Sequence, residues 1–315
     1  MTERGVTVRV PATSANLGAG FDCVGIAVDR WLTASVMVHG TAEGDGSHGA
    51  VTMKRGGTLA SLDVAPYDDA VVQGFIAACA ARGSAVPSRL EFVVESEIPV
   101  ARGLGSSSAA LVAGVRLANL ALGLGLSLRE VAVLGTQLEG HPDNVAPAVF
   151  GGSVLALPAD ASHDRWTFSP LAVHADIAFV FIVPPFLIET ARARAVLPRD
   201  VAYATAVSAA GKGAALVQGL ASGDGALLRI ALDDVLHVPY RRALIPGLAE
   251  VDDAARAAGA FGLTLSGSGS TLVALAPQSA ADDVAVAMQR AWAAENVSAE
   301  PFVQRRPALA ETSEK

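Results

Sequence analysis

The sequence predicts an α+β protein with two domains. Its 315 residues can bury a large core, and this length suggests about two domains. Strand-like and helix-like runs are mixed in the N-terminal part, whereas the C-terminal part predicts two helices packed against a small antiparallel sheet. Hydrophobic residues make up 51% and aromatic residues 5% of the chain, a mixture that suits a soluble, closely packed α/β or α+β protein.

The N-terminal domain, residues 1–165, is predicted from alternating apolar residues, helical spacing and end signals. The first strand ends at Pro11, the first helix ends near Gly83, and Ser127 and Glu130 form a capping-box pattern for a helix that ends at Gly140. The predicted elements, in order, are strands over 6–10, 31–38 and 51–54, a surface turn over 40–49, a helix over 68–81, a strand over 90–96, helices over 107–122 and 127–139, and a strand over 154–157.

The C-terminal domain is predicted to cover residues 166–307, with a frayed tail over 308–315. The boundary is placed where periodicity is lost, between Pro158 and Val173, in a polar stretch that includes Ser162, His163 and Asp164. The predicted elements are a buried strand over 177–183, helices over 201–220 and 225–235, a helix from 247, strands over 261–265 and 271–275, a helix over 280–294 and a strand over 297–303.

Charge and composition exclude several classes of protein. The formal net charge is −8, and basic residues occur as pairs rather than patches, so a nucleic-acid partner is not expected. The N-terminus lacks the apolar segment of a secretory signal, and the longest apolar run, 177–188, is too short to span a membrane. Two cysteines without metal-type or disulfide-type spacing fit a reducing cytoplasm. The oligomeric state is left open, with a homodimer among the options.

A phosphate site is predicted where a strand leads into a helix. Gly103 and Gly105 lack the Cβ atoms that would hold a ligand away from the backbone, and three serines stand at the start of the helix, where N–H groups have no partner. The pattern is neither a Walker A loop nor a dinucleotide fingerprint, and a plain Gly/Ser hinge is the alternative. The segment comprises Pro99, Val100, Ala101, Arg102, Gly103, Leu104, Gly105, Ser106, Ser107, Ser108 and Ala109.

Two further segments carry polar side chains suited to a small ligand and a metal ion. Asn16 can donate and accept hydrogen bonds and Asp22 can accept, which suits an alcohol with an ammonium group. Glu139 lies at a predicted helix end, where a carboxylate is unfavourable unless it meets a cation such as Mg²⁺. The alternatives are an Asx-rich turn for the first segment, and a solvated Glu139 with a turn-capping His141 for the second.

Two arginines on separate loops form a third candidate group. Arg194 follows the apolar strand and a Pro-Pro turn, and Arg241 stands in a later loop, so the two can close over one acid group. Surface ion pairs are the alternative for both arginines. A second glycine-rich turn, residues 265–270, is either a plain hairpin turn or a segment that lies against the phosphate loop and holds its conformation.

These motifs together resemble the GHMP small-molecule kinases. The resemblance rests on the Pro-Ala-Thr-Ser-Ala-Asn-Leu-Gly-Ala-Gly-Phe-Asp run at 11–22, the Gly-Leu-Gly-Ser-Ser-Ser run at 103–108 and the Leu-Ser-Gly-Ser-Gly-Ser run at 265–270. The runs around Glu139, Thr190 and Tyr240 are similar to those of the members that phosphorylate L-homoserine. Ala19 departs from the proline that is more frequent in the family, which removes some rigidity of φ but no functional group.

The resemblance implies a two-domain GHMP kinase fold with a ferredoxin-like second domain, in which residues 99–109 bind the phosphates of ATP. It also implies ATP-dependent phosphorylation of L-homoserine to O-phospho-L-homoserine in threonine biosynthesis. It places Mg²⁺ on Ser106 or Ser107 and Glu139, and makes Asn16, Ser107 and Glu139 the catalytic residues. Asn16 would meet the reacting hydroxyl. The substrate-binding residues would be Asp22, His141 and Asn144 for the ammonium group, and Thr190, Arg194 and Arg241 for the carboxylate.

Phosphoryl transfer is expected to proceed in line, by alignment and charge stabilisation, since no matched side chain is an obvious general base. Two alternatives stay open: a GHMP kinase for another alcohol such as mevalonate, or a non-catalytic sensor of ATP and a ligand on the same scaffold.

Overall fold

The structure, a computed structural model, describes residues 4–39, 50–160 and 165–311. The predicted turn at 40–49, the triplet Ser162, His163 and Asp164, and residues 312–315 lie outside the described residues. Within the described ranges the chain forms two sheets and ten α-helices. No helix there is long and apolar enough to cross a membrane.

The first sheet contains six strands and is built around a long antiparallel pair. Its strands are β1 (Arg4–Asn16), β2 (Gly20–His39), β3 (Ala50–Gly57), β4 (Arg89–Ser96), β5 (Ser153–Pro158) and β6 (Trp166–Pro170). They lie in the order β3-β4-β2-β5-β6, with β1 paired to β2. Strand β1 continues through Pro11, where the prediction ended it, because the register shifts between Pro11 and Ala12 instead of stopping.

Four helices accompany this sheet, namely α1 (Ala70–Ala81), α2 (Ser106–Leu122), α3 (Leu128–Glu139) and α4 (Val145–Phe150). The predicted capping box is present: Ser127 accepts from the Glu130 N–H, and the Glu130 carboxylate accepts from the Ser127 N–H. Helix α3 then ends at Gly140, whose φ is 87°. Helix α2 is buried over most of its length, so the phosphate segment that precedes it is held on a rigid element.

The second sheet has the strand order of a ferredoxin-like domain. Its strands are β7 (Ile177–Val183), β8 (Gly262–Leu265), β9 (Leu272–Pro277) and β10 (Glu300–Gln304). They are all antiparallel and lie in the order β10-β7-β9-β8. The prediction for β7 agrees with the structure at both ends, since all but the last of its residues are buried.

Four helices connect β7 to the rest of this domain: α5 (Thr190–Ala195), α6 (Tyr203–Ser222), α7 (Gly225–Leu232) and α8 (Val238–Arg241). The sequence predicted α6 and α7 but placed the segments of α5 and α8 in loops, which is corrected here. Both helices are short, at six and four residues, as is the six-residue α4, which the sequence also missed. Such helices are marginal alone and form through tertiary contacts.

Helices α9 (Leu248–Ala257) and α10 (Ala281–Ala294) complete the second layer. Trp292 of α10 is fully buried in a separate hydrophobic core with residues of β7, β8 and β9. The α+β fold class and its ferredoxin-like second part are therefore confirmed.

The chain returns to the first sheet at its C-terminal end. The sequence predicted the domain boundary at 165, but β6 lies after this residue and pairs with β5 of the first sheet. The change from the first sheet to the second therefore falls between Pro170 and Ile177. The segment 308–311 was predicted to be frayed, yet Ala308 donates to Ala27 O at 3.0 Å and accepts from Gly152 N at 2.7 Å. Leu309 forms a β-bridge with Gly151. These backbone bonds anchor the part of the tail that the structure describes.

Candidate active site

One cavity collects most of the predicted functional residues. It has a volume of about 360 Å³ and receives side chains from both parts of the chain. Pro99 and Ala109, at the two ends of the predicted phosphate segment, do not line it, and Ala109 is fully buried in the core. The predicted residues that line the cavity are Asn16, Asp22, Val100, Ala101, Arg102, Gly103, Leu104, Gly105, Ser106, Ser107, Ser108, Glu139, His141, Asn144, Thr190, Arg194 and Arg241.

The start of α2 presents hydrogen-bond donors to this cavity. Gly105 precedes the helix in a left-handed conformation, and the Ala109 N–H donates to Gly105 O at 2.9 Å. The N–H groups of residues 106–108 precede that bond and belong to the first helical turn, which carries the positive end of the helix dipole. The Ser108 hydroxyl is buried and has no hydrogen-bond partner in the described ranges. This arrangement suits a phosphate group.

The two glycines of the phosphate segment are required by protein neighbours, which corrects the reason given from the sequence. A Cβ at Gly103 would lie 2.1 Å from Ser266 O, and a Cβ at Gly105 would lie 1.9 Å from Thr13 Oγ1. Both residues also have positive φ, 75° and 68°. Close approach of other segments to this loop, rather than of a ligand to bare backbone, explains both positions.

The second glycine-rich turn, residues 265–270, lies against the phosphate segment, as one of the two sequence alternatives predicted. The Ser266 hydroxyl donates to Gly103 O at 2.6 Å, and the Thr271 N–H donates to Arg102 O at 3.0 Å. The Gly267 N–H donates to Ala15 O at 3.1 Å. The turn therefore joins the phosphate segment to the end of β1.

Arg102 lines the cavity but its guanidinium is used within the protein. Its Nε donates to Pro184 O at 3.1 Å, its Nη2 donates to Pro185 O, and its Nη1 donates to Val100 O at 3.3 Å. All three nitrogens thus donate to carbonyl groups of the protein, and the guanidinium does not have the phosphate-binding role that was expected. It instead connects the phosphate segment to the residues before α5.

Ser107 and Glu139 meet across the cavity. The Ser107 hydroxyl donates to Glu139 Oε2 at 3.0 Å, and Glu139 Oε1 lies 3.9 Å from His141 Nε2. The other ring nitrogen of His141 is 2.6 Å from Asp143 Oδ1. Burial disfavours the charged imidazole, but the hydrogen bond and charge of Asp143 and the charge of Glu139 outweigh it and raise the pKa of His141. Ser106 lines the cavity on the same helical turn.

Asp22 and Arg194 form a bidentate ion pair, although the sequence analysis assigned Asp22 to the ammonium group and Arg194 to the carboxylate of a ligand. Arg194 Nη2 donates to Asp22 Oδ1 at 2.9 Å, and Nη1 donates to Oδ2 at 3.1 Å. Burial lowers the pKa of Arg194, but the hydrogen bond and charge of Asp22 outweigh this effect and raise it. Roughly a third of each side chain remains exposed, 39% for Arg194 and 37% for Asp22, so a ligand can reach both.

Arg241 is a buried cation, only 2% exposed. Its Nε donates to Ala193 O at 3.0 Å, and its Nη1 lies 3.2 Å from both Gly267 O and His237 Nδ1. Among the described residues, its Nη2 has no hydrogen-bond partner and no carboxylate forms an ion pair with it. Burial and the nearby Arg194 lower its pKa. A buried guanidinium without a carboxylate is suited to receive an anionic ligand.

Asn16 and Asn144 hold the walls of the cavity together. Asn16 is 2% exposed; its Oδ1 accepts from the Asp22 N–H at 3.0 Å and its Nδ2 donates to Gly267 O at 2.9 Å. Asn144 Oδ1 accepts from the Thr13 hydroxyl at 2.8 Å. Both amides are therefore engaged within the protein, which the sequence did not predict.

Several residues that line the cavity were missed from the sequence. Asp143 is 3% exposed and binds His141, and only its position two residues beyond that histidine could have drawn attention to it. Ser268 lies 3.4 Å from the Thr190 hydroxyl, Oγ to Oγ1. An apolar wall has no signature in the sequence because its members lie in separate segments. It comprises Leu59, Leu62, Val64 and Val71 together with the already predicted Val100, and Asp68 lies beside them.

This fold and this cavity define a class of protein, the GHMP kinases. The descriptions "GHMP kinases N terminal domain" and "GHMP kinases C terminal" match residues 70–152 and 214–294. The chain belongs to the GHMP kinase family and, within it, to the homoserine kinases, as its similarity to individual members shows.

The homoserine kinase of Synechococcus sp. is 41% identical over 297 residues, which are 93% of this chain and 92% of that protein. The homoserine kinase of Picosynechococcus sp. is 40% identical over 91% of this chain and 92% of that protein. The crystal structure of homoserine kinase from Cytophaga hutchinsonii has a TM-score of 0.84 and 30% identity, and the alignment covers 99% of this chain and 96% of that one.

Proposed function

We propose that this chain is a kinase that transfers the γ-phosphoryl group of ATP to the hydroxyl of L-homoserine and thereby forms O-phospho-L-homoserine for threonine biosynthesis. The observation that carries the proposal is one cavity in which a helix N-terminus faces the charged set Asp22, Arg194 and Arg241. L-Homoserine has one anionic, one cationic and one hydroxyl group, which matches that set. The homoserine kinases to which the chain is similar support the same substrate.

The ATP phosphates would be bound by the N–H groups at the start of α2 and by the unpartnered Ser108 hydroxyl. The apolar wall defined above would hold the adenine base, because it lines the same cavity as the helix start. Arg102 would act on this site only through the loop that it anchors.

The residues present fit a magnesium ion shared with ATP. Ser107 and Glu139 offer two oxygens 3.0 Å apart in the cavity, and the described ranges contain no cluster of three or more His, Cys, Asp or Glu side chains that could hold a metal alone. Mg²⁺ takes one or two protein oxygens and completes its coordination with phosphate oxygens and water. When bound, the ion supplies positive charge that offsets charge developing on the phosphates. Ser106 is the other candidate ligand.

The substrate carboxylate would bind Arg241 Nη2 and Arg194, with Thr190 beside them, while the ammonium group would bind Asp22 in the region of His141 and Asn144. Asn16 keeps one Nδ2 proton beyond its bond to Gly267 O, and this proton would orient the substrate hydroxyl.

The reaction would proceed in line and without a dedicated base. Asp22 is paired with Arg194, and Asp143 is bonded to His141, so both carboxylates already have cationic or hydrogen-bonding partners. Alignment of the hydroxyl and stabilisation of charge by the helix N-terminus would then lower the barrier, with the hydroxyl proton leaving late to the phosphate.

A coupled assay of ADP release tests the proposal against L-homoserine, mevalonate, shikimate and galactose. Two truncated analogues sharpen it: the amino alcohol without the carboxylate and the hydroxy acid without the ammonium group. We expect strong preference for L-homoserine over all of them, and ³¹P NMR should identify O-phospho-L-homoserine. Equal or higher kcat/KM with mevalonate would contradict the proposal. The homodimer and the cytoplasmic location remain predictions, which light scattering and fractionation of cells that produce the protein would test.

A further inference from the structure

His237 connects the segment 16–22 to the buried side chain of Arg241. The side chain is fully buried at the start of α8 and does not line the cavity. Its Nε2 lies 3.1 Å from Gly18 O, and its Nδ1 lies 3.2 Å from Arg241 Nη1. The ring also stacks on Phe21, with centroids 4.8 Å apart and planes 18° apart.

The partners of the ring determine its protonation. A carbonyl oxygen only accepts hydrogen bonds and an arginine N–H only donates, so Nε2 must carry the proton and Nδ1 must be the acceptor. Burial lowers the pKa of His237, and the charge of Arg241 acts in the same direction. Asp234 is 3.8 Å from Nε2 and opposes them, but its Oδ2 already accepts the backbone N–H groups of His237 and Val238. The imidazole is therefore neutral.

Arg241 depends on this acceptor for its orientation. Three acceptors on three different segments bind its Nε and Nη1, namely Ala193 O of α5, Gly267 O of the second glycine-rich turn and His237 Nδ1 of α8. Phe21 lies against the guanidinium, 5.3 Å from its ring centroid to Cζ. The N–H groups of Nη2 are the donors of this guanidinium that can bind a ligand.

We infer that His237 is a positioning residue for substrate binding: its neutral Nδ1 holds the Arg241 guanidinium with Nη2 directed at the acid group, and its Nε2 ties that guanidinium to the loop 16–22 through Gly18. The inference rests on the proposed function, because it takes the carboxylate of the substrate as the ligand of Arg241.

Two substitutions separate the two hydrogen bonds. His237→Asn can place an amide oxygen near the Nδ1 position and keep the acceptor for Arg241, while it loses the bond to Gly18. His237→Gln can reach the Nε2 position and keep the bond to Gly18, while it loses that acceptor. Both remove the ring that stacks on Phe21, so each is the control for the other.

We expect His237→Gln to raise the KM for L-homoserine about tenfold or more, the range for loss of a hydrogen bond to a charged group, with the KM for ATP nearly unchanged. His237→Asn should remain within about threefold of wild type, as expected when the charged hydrogen bond is kept. With the amino alcohol that lacks the carboxylate, the two variants should be equal. Equal losses on L-homoserine, or a larger loss for Gln on both substrates, would overturn the inference.

A measurement on the wild-type protein covers the case in which the variants do not fold. ¹⁵N shifts of the histidine rings should assign His237 to the Nε2–H tautomer at neutral pH, and Arg241→Lys should move its Nδ1 shift. A cationic ring or an Nδ1–H tautomer would overturn the inference even if L-homoserine is the substrate. Absence of homoserine phosphorylation by wild type, with the expected tautomer, would instead contradict the proposed function.

Discussion

Asp22 and Arg194, 172 residues apart in the chain, satisfy each other across the mouth of the cavity through two parallel hydrogen bonds. A zwitterionic substrate offers the same two charges in exchange, an ammonium group for Asp22 and a carboxylate for Arg194. A ligand with only one of these charges would leave one residue of the pair without a partner, which is unfavourable in a half-buried site. The pair therefore disfavours ligands that carry only one charge.

Arg194→Lys should raise the KM for L-homoserine and leave the KM for ATP nearly unchanged. Lysine keeps the charge but loses the planar fork that binds two oxygens at once. The control is Arg192→Lys on the same helix, since Arg192 is exposed and does not line the cavity. Steady-state kinetics at saturating ATP would measure the effect. Identical kinetics of the two variants would remove Arg194 from the acid-binding side.

Glu139→Gln should lower kcat strongly with little change in the melting temperature. The substitution keeps the size of the side chain but removes a negative charge that faces Ser107 in the cavity. Titration of activity with Mg²⁺ should show a higher requirement for the ion. Glu250→Gln is the control, because Glu250 is an exposed glutamate in the first turn of α9. A wild-type response of Glu139→Gln at limiting Mg²⁺ would contradict its role as a ligand.

Gly105→Ala should destabilise the protein more than Gly125→Ala. Both glycines have φ of 68°, but a Cβ at Gly105 would lie 1.9 Å from Thr13 Oγ1, whereas a Cβ at Gly125 would meet no atom within 4 Å. Gly125→Ala thus measures backbone strain alone, about 1–2 kcal/mol for a left-handed residue with a side chain. Urea denaturation would give both free energies of unfolding, and Thr13→Ala should recover part of the loss in Gly105→Ala. Equal losses of unfolding free energy in the two variants would show that the Thr13 side chain moves away from the new Cβ without destabilising the protein.

The parts of this fold that local patterns determine were predicted well. Helix α3 has its capping box and terminal glycine, and β7 is a short apolar run between turns, so neither depends on distant residues. Helices α5 and α8 were missed because distant contacts support them: Ala193 O of α5 accepts from Arg241 at the end of α8. Strand β6 was not predicted, because its mostly exposed residues show no strand periodicity, and its pairing with β5 moves the division between the sheets beyond the predicted boundary.

In the cavity, too, the types of the functional residues were predicted from the sequence, whereas the contacts between them were not. Residue types at 16, 22, 139, 194 and 241 indicated a site for a charged ligand, and the structure brings all five together. Their partners could not be predicted, since Asp22 pairs with Arg194 and Asn16 with Gly267, contacts that span 172 and 251 residues. For the same reason, Gly103 and Gly105 were attributed to a ligand, although the second glycine-rich turn and Thr13 of β1 occupy the space beside them.

His141 should titrate above its ordinary pKa of 6.5, and Asp143→Asn should lower that pKa. Burial disfavours the charged ring, but Asp143 at 2.6 Å and the nearby Glu139 stabilise it more, so the folded state binds the proton more tightly than the unfolded state. The stabilisation that the charged ring provides is therefore complete below pH 6.5 and is lost as the pH rises through the raised folded-state pKa. NMR titration of the ring protons would give both pKa values, and thermal unfolding of wild type and His141→Gln should converge as the pH rises through the folded-state value. An unchanged His141 pKa in Asp143→Asn would show that Glu139 alone holds the proton on the ring.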